Sequence, residues 1–295
     1  KILRALGETV RPFTSLLEEY LEYLVHTDAV GSKAKYALEM NAILPKITKE
    51  KRIFFKNAMH PILWRKNNAQ KIKTIPQSIE LNEKQQIIVI SGPNAGGKSI
   101  TLKTIGLLQL MLQSGILIPV DERSQTYIFD TILTDIGDNQ SIENQLSTYS
   151  YRLKNMRNFL RKCGESTLFL IDEFGTGSDP ELGGALAEIF LEEFYEKKAF
   201  GIITTHYSNL KVLANELENV TNANMQFDER TLEPLYKLFV GQAGSSFTFE
   251  VAQKNGIPFS IINKAKKRVD TEKVRLDQTI SKLQKERSKL QRNSD

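Results

Sequence analysis

The sequence predicts an α/β fold in which helices cover both faces of a mostly parallel central sheet. From about residue 86 to residue 206, short apolar segments alternate with segments of helical pattern. The apolar segments QIIVIS, TLFLID and AFGIITTH are continuous rather than alternating, which is typical of strands buried on both faces. With 295 residues, 40% hydrophobic and 25% charged, the composition is that of a globular protein and excludes wholesale disorder.

Composition also excludes several classes of protein. No run of about 18 apolar residues is present, so no membrane span is expected. The first residues, KILRALGETV, lack the apolar core of a signal peptide, so we expect a cytoplasmic protein and a chain that starts within a longer one. The single cysteine, Cys163, cannot form an internal disulfide and is expected to serve packing only. The three histidines lie far apart and predict no zinc cluster.

The first 40 residues are predicted to be helical. Apolar residues of LLEEYLEYLV recur at helical spacing and form one stripe, made of Leu16, Leu17, Tyr20, Leu21 and Leu24. A break is expected around Leu44 and Pro45, followed by a strand over RIFFKNA.

The central region is predicted to run strand, turn, helix, repeatedly. After the strand QIIVIS, the segment SITLKTIGLLQLMLQ is apolar almost all round and predicts a buried helix ended by Gly115. Between the next two strands, a helix is predicted with an apolar stripe of Leu182, Leu186, Ile189, Phe190 and Phe194. Residues 220–240 are expected to form an antiparallel pair at the sheet edge.

The tail from Pro258 is predicted to be one long polar helix with a thin heptad-like seam, formed by Val269, Leu276, Ile280, Leu283 and Leu290. Residues 261–295 contain 11 Lys or Arg and 5 Asp or Glu, whereas the preceding 260 residues contain 29 basic and 30 acidic residues. The net charge of +5 therefore comes entirely from the tail, which can be read as a DNA contact or as a solvated linker helix.

The segment GPNAGGKS at 92–99 fits the phosphate-loop pattern G-x-x-x-x-G-K-[ST] and lies between a predicted strand and a predicted helix. Its glycines allow backbone N–H groups to approach phosphate oxygens, and the helix that follows adds its positive dipole end. Lys98 would contact the β- and γ-phosphates, and the Ser99 hydroxyl would ligate Mg²⁺. The predicted ATP contacts are Gly92, Pro93, Asn94, Ala95, Gly96, Gly97, Lys98 and Ser99.

The segment LFLIDE at 168–173 has the pattern of a Walker B strand, which is an apolar strand that ends in a carboxylate. Asp172 would hold Mg²⁺ and Glu173 would polarise the attacking water. His206 ends the next strand and is expected near the γ-phosphate as a second catalytic residue. The sequence therefore predicts an enzyme that hydrolyses ATP to ADP and phosphate.

These motifs together resemble the ATPase domain of the MutS family. GPNAGGKS, LSTYS at 146–150, LIDEFGTGSDPELGGALA and TTHY occur in that family's order, and YALEMNAILP and NAMHPIL resemble the segment that joins its lever helices to the ATPase. IGDNQSIENQLSTYS and DEFGTGSDPE resemble the second, recombination-suppressing branch, whose full-length members carry a C-terminal Smr nuclease domain.

The resemblance implies an ABC-like P-loop NTPase that works as a homodimer with two composite sites. Ser147 and Thr148 match the family's signature loop, which reaches the γ-phosphate bound by the partner, and 175–180 would touch the opposite subunit. Without the resemblance, LSTYS reads as a helix N-cap. The implied organisation is a helical end of the lever region at 1–45, the ATPase domain at 46–260 and a basic linker helix at 261–295.

The implied function is ATP hydrolysis with Mg²⁺ that drives rearrangement of the dimer on mismatched or branched DNA. The mismatch-reading and clamp domains lie outside this chain, and ribosome-bound RNA stays open as another partner. Two alternatives are an ABC or SMC-like ATPase, against which the lack of an LSGGQ-type signature counts, and a nucleotide-gated dimerisation module with negligible hydrolysis.

The sequence departs from the family pattern in two places. Thr74 and Ile75 occupy the region where an aromatic residue often stacks on adenine, so Tyr236 is the predicted adenine contact. Thr248 stands where glycine is usual in the dimer-stabilising helix entry. The Phe-x-Glu triplets at 190–192 and 194–196 lie inside a predicted helix and are attributed to chance.

Overall fold

The computed structural model describes residues 1–93, 96–137, 145–176, 179–228, 231, 233–245, 247–268, 279–280 and 282–283, and for 145–149 only the backbone. The helices are α1 Ile2–Val10, α2 Thr14–Met40, α3 Pro61–Ala69, α4 Lys98–Gln113, α5 Gln145–Lys162, α6 Pro180–Glu196, α7 Ser208–Glu216, α8 Thr248–Lys254 and α9 Phe259–Lys266. A 3-10 turn, Arg11–Phe13, joins α1 to α2.

The strands are β1 Lys46–Ile47, β2 Ile53–Ala58, β3 Gln77–Leu81, β4 Ile87–Ser91, β5 Gln125–Thr126, β6 Thr131–Asp135, β7 Thr167–Ile171, β8 Phe200–Thr204, β9 Val220–Asp228 and β10 Glu233–Val240. Six of them form the central sheet in the order β10-β9-β4-β8-β7-β6. Every pair in it is parallel except β9 with β10. The prediction of a mostly parallel sheet with an antiparallel pair at one edge is confirmed.

Packing on both faces explains the continuous apolar strands. Successive side chains of a strand point to opposite faces. In β4, Ile88 and Ile90 pack on one face with α4, while Ile87 and Val89 pack on the other with α6 and α7. All four are fully buried. Burial of each aliphatic side chain stabilises the fold by roughly 1.5–3 kcal/mol, so both faces contribute.

A second, four-stranded sheet has the order β1-β5-β2-β3 and packs against the α4 face of the central sheet. The sequence predicted only β2 of this sheet. Two of its other strands, β1 and β5, are two residues long, which is too short for a periodic pattern. Their pairing depends on contacts between segments about 80 residues apart, and such contacts leave no local signal.

The predicted apolar stripe of α6 is partly wrong. Leu182 and Ile189 are 73% and 55% exposed, and Leu186 is also exposed. The buried face is rotated by about one residue and consists of Gly183, Gly184, Ala187, Leu191 and Phe194. Small residues let α6 approach its neighbours closely: a methyl group on Gly184 would lie 3.1 Å from the Asn209 side chain of α7. Close approach therefore decided which face is buried.

Both chain ends expose apolar side chains. The predicted stripe on α2 lies on a helix, but all five of its residues are exposed. In the tail, α9 begins where predicted; Val269, Leu276 and Leu290 lie outside the described residues, Ile280 is buried and Leu283 is exposed. In the described part of the chain, no helix combines the length and apolar character that crossing a membrane requires.

Gly201 of β8 faces Phe169 of β7 in the sheet register, and a methyl group there would lie 2.2 Å from the ring. We expect Gly201→Ala to lower the free energy of unfolding by about 1–3 kcal/mol, since the ring must leave its rotamer. The control is Gly164→Ala, where a methyl group meets no atom of the described structure within 4 Å. Urea unfolding of both variants measures the difference, and equal losses would contradict this packing.

Candidate functional site

The predicted site residues gather at the carboxyl ends of three neighbouring parallel strands, β4, β8 and β7. β4 leads into the phosphate loop, β7 into Asp172 and Glu173, and β8 into His206. In open α/β sheets this edge is where ligands bind. Parallel pairing therefore brings together residues that are separated by more than 100 positions in the sequence.

The phosphate loop needs glycine for two reasons. Gly92 and Gly97 have φ angles of +121° and +94°, which side-chain-bearing residues rarely adopt. Gly96 packs so closely on β9 that a methyl group would lie 2.9 Å from the Met225 side chain. Asn94 and Ala95 lie outside the described residues. α4 begins at Lys98 behind Gly97, and within the described residues no side chain caps its first turn. The first turn of α4 therefore presents N–H groups and the positive end of the helix dipole to the loop, where an anion is favoured.

The Lys98 side chain is buried, with 3% of its surface exposed. Its ammonium donates to the carbonyl oxygens of Gly92 at 2.7 Å and Pro93 at 3.0 Å. Burial lowers the pKa of this ammonium to about 8, and the charge of Lys211 adds to the decrease; the nearby carboxylates Glu173 and Asp172 oppose it. The ammonium thus sits in a low-polarity position where a phosphate would stabilise its charge.

A chain of hydrogen bonds links the phosphate loop to the acidic pair. The Ser99 hydroxyl donates to Asp172 Oδ1 at 3.0 Å, and the Thr204 hydroxyl donates to the same oxygen at 2.6 Å. The Thr204 hydroxyl also accepts a bond from the Glu173 N–H at 2.8 Å. Asp172 is only 7% exposed, so these bonds fix its carboxylate in place.

The oxygen atoms of Ser99 and Asp172 fit a magnesium ion. Mg²⁺ prefers oxygen ligands and is usually held by one or two carboxylates together with substrate phosphates and water. One hydroxyl and one carboxylate oxygen, adjacent to an uncapped helix start, match that donor set.

Glu173 follows Asp172 in a strained backbone conformation. Its φ is +52°, in the left-handed region, which for a residue with a side chain costs roughly 1–3 kcal/mol and persists only where neighbours hold it. The N–H of Phe174 donates to the Thr204 carbonyl at 2.8 Å, which anchors the turn to β8. This conformation turns the Glu173 carboxylate towards His206, whose Nε2 lies 4.0 Å from Oε1.

His206 is partly buried and lies near two lysines and two carboxylates. Burial lowers the pKa of its imidazole to about 4, and the charges of Lys98 and Lys211 lower it further, against an opposing effect of Asp172. The imidazole is therefore neutral near pH 7, and its contact with Glu173 is not an ion pair. A neutral imidazole can orient a water molecule or accept a proton.

Tyr236, which the sequence analysis proposes as an adenine contact, lies against the phosphate loop. A methyl group on Gly97 would lie 3.2 Å from the Tyr236 ring, which remains 46% exposed. Its φ is +53°, and the register of β10 against β9 shifts between Pro234 and Leu238. Gln77 of β3 donates to the Tyr236 carbonyl and accepts from the Leu238 N–H at 3.3 Å.

Three residues that the sequence did not single out support the site: Thr204, Gln77 and Arg152. Thr204 could have been noticed, because a hydroxyl residue at the end of a strand beside the Walker B strand faces the acidic pair. Gln77 and Arg152 come from other elements and act on backbone groups, so no motif identifies them. The predicted signature residues Ser147 and Thr148 lie in the first turn of α5, where the structure describes only the backbone.

Comparison with known sequences identifies the family of this chain. The sequence model of MutS domain V matches residues 88–272. The chain is 41% identical to Endonuclease MutS2 of Finegoldia magna over 290 residues, which is 98% of this chain and 36% of that protein. It is 39% identical to Endonuclease MutS2 of Lacticaseibacillus casei over 287 residues, 97% of this chain and 36% of that protein. For Endonuclease MutS2 of Bacillus velezensis the identity is 40% over 289 residues, 98% of this chain and 36% of that protein.

The chain thus spans about a third of the length of these relatives. The matched region, 88–272, contains β4 with the phosphate loop, the Asp172–Glu173 pair, His206 and Tyr236. Sequence and site geometry agree: the chain belongs to the MutS domain V family, in its MutS2 branch.

Proposed function

We propose that this chain is the ATPase part of a longer MutS2-type protein, in which Mg²⁺-dependent hydrolysis of ATP at composite dimer sites drives rearrangement on mismatched or branched DNA. The observation that carries the proposal is a series of hydrogen bonds beside the start of α4, which joins Ser99, Asp172, Thr204 and Glu173. These bonds bring the groups needed to hold phosphate, metal and attacking water together at one edge of the sheet.

In this proposal, the loop at 92–99 binds the phosphates. Lys98 would exchange its carbonyl partners for β- and γ-phosphate oxygens, and the first N–H groups of α4 would donate to phosphate as well. Ser99 and Asp172 would hold Mg²⁺, which supplies charge neutralisation at the phosphates. Asn94 and Ala95 complete the proposed loop contacts, and Tyr236 would stack on adenine.

In this proposal, Glu173 activates the attacking water, and His206 lies next to it. A carboxylate held beside the γ-phosphate can accept a hydrogen bond from the attacking water and orient it in line. A neutral imidazole 4.0 Å from that carboxylate can share the same water. Because burial and two lysines keep the His206 imidazole neutral, it serves as a hydrogen-bonding partner rather than as a cation.

Composite sites require a second copy of the chain. One phosphate loop leaves the outer γ-oxygens uncovered, and Ser147 and Thr148 of a partner are proposed to cover them. The exposed Leu182, Leu186 and Ile189 lie on α6, which directly follows the loop proposed to touch the opposite subunit. Such an apolar surface supports the proposal of a homodimer.

The remaining parts of the proposal concern the longer protein. The segment 1–45 is proposed as the end of the lever region, 46–260 as the ATPase domain and 261–295 as a linker helix. The exposed apolar stripe on α2 supports packing of that helix against another part of a longer chain. Contacts with DNA, or with ribosome-bound RNA, are assigned to domains outside this chain.

The first prediction concerns Glu173. Glu173→Gln should leave ATP binding intact and slow hydrolysis by roughly 10²–10⁴-fold, the range for loss of a general base. The variant should accumulate as an ATP-loaded dimer, whereas Lys98→Ala should lose tight ATP binding in calorimetry. Glu193→Gln, an exposed position on α6, is the matched control with unchanged turnover. An unchanged rate in Glu173→Gln would mean that another residue, with His206 the first suspect, organises the water. Negligible turnover of both proteins would favour the nucleotide-gated dimerisation module.

The second prediction concerns pH. Because the folded protein holds the pKa of His206 near 4, below the ordinary 6.5, the unfolded chain binds the proton first as the pH falls. Stability linked to His206 is complete above about pH 6.5 and decreases as the pH falls towards 4. His206→Asn should therefore lose less unfolding free energy than wild type between pH 7 and 4.5, measured with urea, while exposed His26→Asn behaves as wild type. Identical slopes for all three proteins would show that His206 titrates normally.

The third prediction concerns the composite site. Ser147→Ala with Thr148→Ala should spare ATP binding to one chain but depress hydrolysis and ATP-driven dimerisation together. Mixed with Lys98→Ala protein, it forms dimers in which one site pairs an intact loop with an intact partner signature. That site should restore part of the activity that either protein lacks alone. If mixed dimers form without any recovery, LSTYS is a helix cap and the trans site is wrong.

A further inference from the structure

Arg152 of helix α5 bonds to the turn that follows β7. Nη1 of Arg152 donates to the carbonyl oxygen of Glu173 at 3.1 Å and to the hydroxyl of Thr176 at 2.6 Å. The same Thr176 hydroxyl donates to the Glu173 carbonyl at 2.8 Å. Arg152 thus completes a small ring of bonds around the backbone of the residue proposed to activate water.

Other bonds hold this turn from the sides of β8 and β6. The Thr204 hydroxyl of β8 accepts from the Glu173 N–H and donates to the Asp172 carboxylate. The Tyr207 hydroxyl donates to the Gly175 carbonyl at 3.0 Å. Among the described residues, Arg152 is the side chain of α5 that bonds to the backbone of this turn. It therefore links Glu173 to α5, whereas Thr204 ends β8 and Tyr207 lies between β8 and α7.

A second polar contact, close to that of Arg152, joins α5 to the end of β6. One helical turn after Arg152, the Asn155 amide donates to Asp135 Oδ1 at 3.0 Å, and the Asp135 carbonyl accepts from the Asp172 N–H at 2.9 Å. Beside these contacts, a small cavity of about 30 Å³ is lined mainly by apolar side chains, among them Met156 and Phe190. Arg152 and Asn155 thus join this part of α5 to the turn and to β6 by polar contacts.

We infer that Arg152 is a positioning residue that couples helix α5 to Glu173. The arginine holds the left-handed backbone of Glu173, so a displacement of α5 moves the carboxylate that orients the water. The first turn of α5 carries Ser147 and Thr148, so engagement of the partner's nucleotide there would be transmitted to Glu173 in the same chain. The inference rests on the proposed function and adds a regulatory link between the two sites of the dimer.

Arginine suits this role because one nitrogen carries two N–H donors in a fixed plane and can bond two acceptors at once. In the full chain, Arg152→Ala should lower kcat for ATP hydrolysis by about 10²-fold, the loss expected when a reacting group moves by an ångström. The Kd for ATP should stay within about twofold, because the phosphate loop is untouched. Arg157→Ala, an exposed arginine five residues further along α5, is the matched control and should retain wild-type turnover.

A double-mutant comparison separates positioning from a general structural role. If Arg152 acts through Glu173, Arg152→Ala should change the residual rate of Glu173→Gln less than about twofold, because residues that act as a unit are not additive. Arg152→Lys should recover part of the lost turnover. Thr176→Val, which removes one acceptor and is milder for folding, should lower kcat in the same direction. A full 10²-fold loss in the Glu173→Gln background would overturn the inference.

A measurement without nucleotide tests the contact itself. Amide hydrogen exchange of residues 173–176 should become faster in Arg152→Ala and stay unchanged in Arg157→Ala. If exchange and turnover of Arg152→Ala both equal the wild type, Arg152 does not hold the turn and the inference is wrong. If the wild-type chain hydrolyses no ATP while exchange responds as expected, the proposed function fails and the structural contact stands.

Discussion

The hydrogen bond from the Thr204 hydroxyl to Asp172 Oδ1 joins the ends of β8 and β7 at the point where the candidate site begins. Asp172 is nearly inaccessible to water, and a buried carboxylate must find donors within the protein. Thr204 and Ser99 supply them. Hydrogen bonds to a charged group contribute roughly 1.5–3 kcal/mol each, so the carboxylate draws three elements together. The positions of Ser99 and of the Glu173 backbone depend on that constraint.

The same confined space determines the electrostatics of the site. Lys98 and Lys211 are both buried, and Lys211 donates to the Gly244 carbonyl at 2.8 Å. Burial, together with the charges of Lys98 and Lys211, leaves His206 in its neutral form. In this low-polarity position, an arriving phosphate would stabilise the Lys98 charge. The same burial therefore affects both the stability of the site and its affinity for an anion.

Close backbone approaches shape the other side of the site. Gly96 touches Met225 of β9, and Gly97 lies under the Tyr236 ring. Tyr236 reaches this position because β10 changes register and Gln77, from the second sheet, bonds both sides of the irregularity. The small sheet thus supports the predicted adenine contact, although it contributes no motif of its own.

The sequence by itself determined the central α/β architecture, because strands buried on both faces must be continuously apolar and a phosphate loop must follow one of them. It also singled out the loop at 92–99, the pair Asp172–Glu173 and His206 as candidate site residues, since their proposed chemistry depends on residue types at fixed spacings within short segments. Only the tertiary structure decided which face of α6 is buried, because two glycines allow a closer approach than the larger leucines would. It alone placed Gln77 and Arg152, since each acts through space on the backbone of a distant segment, and such contacts leave no pattern in the local sequence.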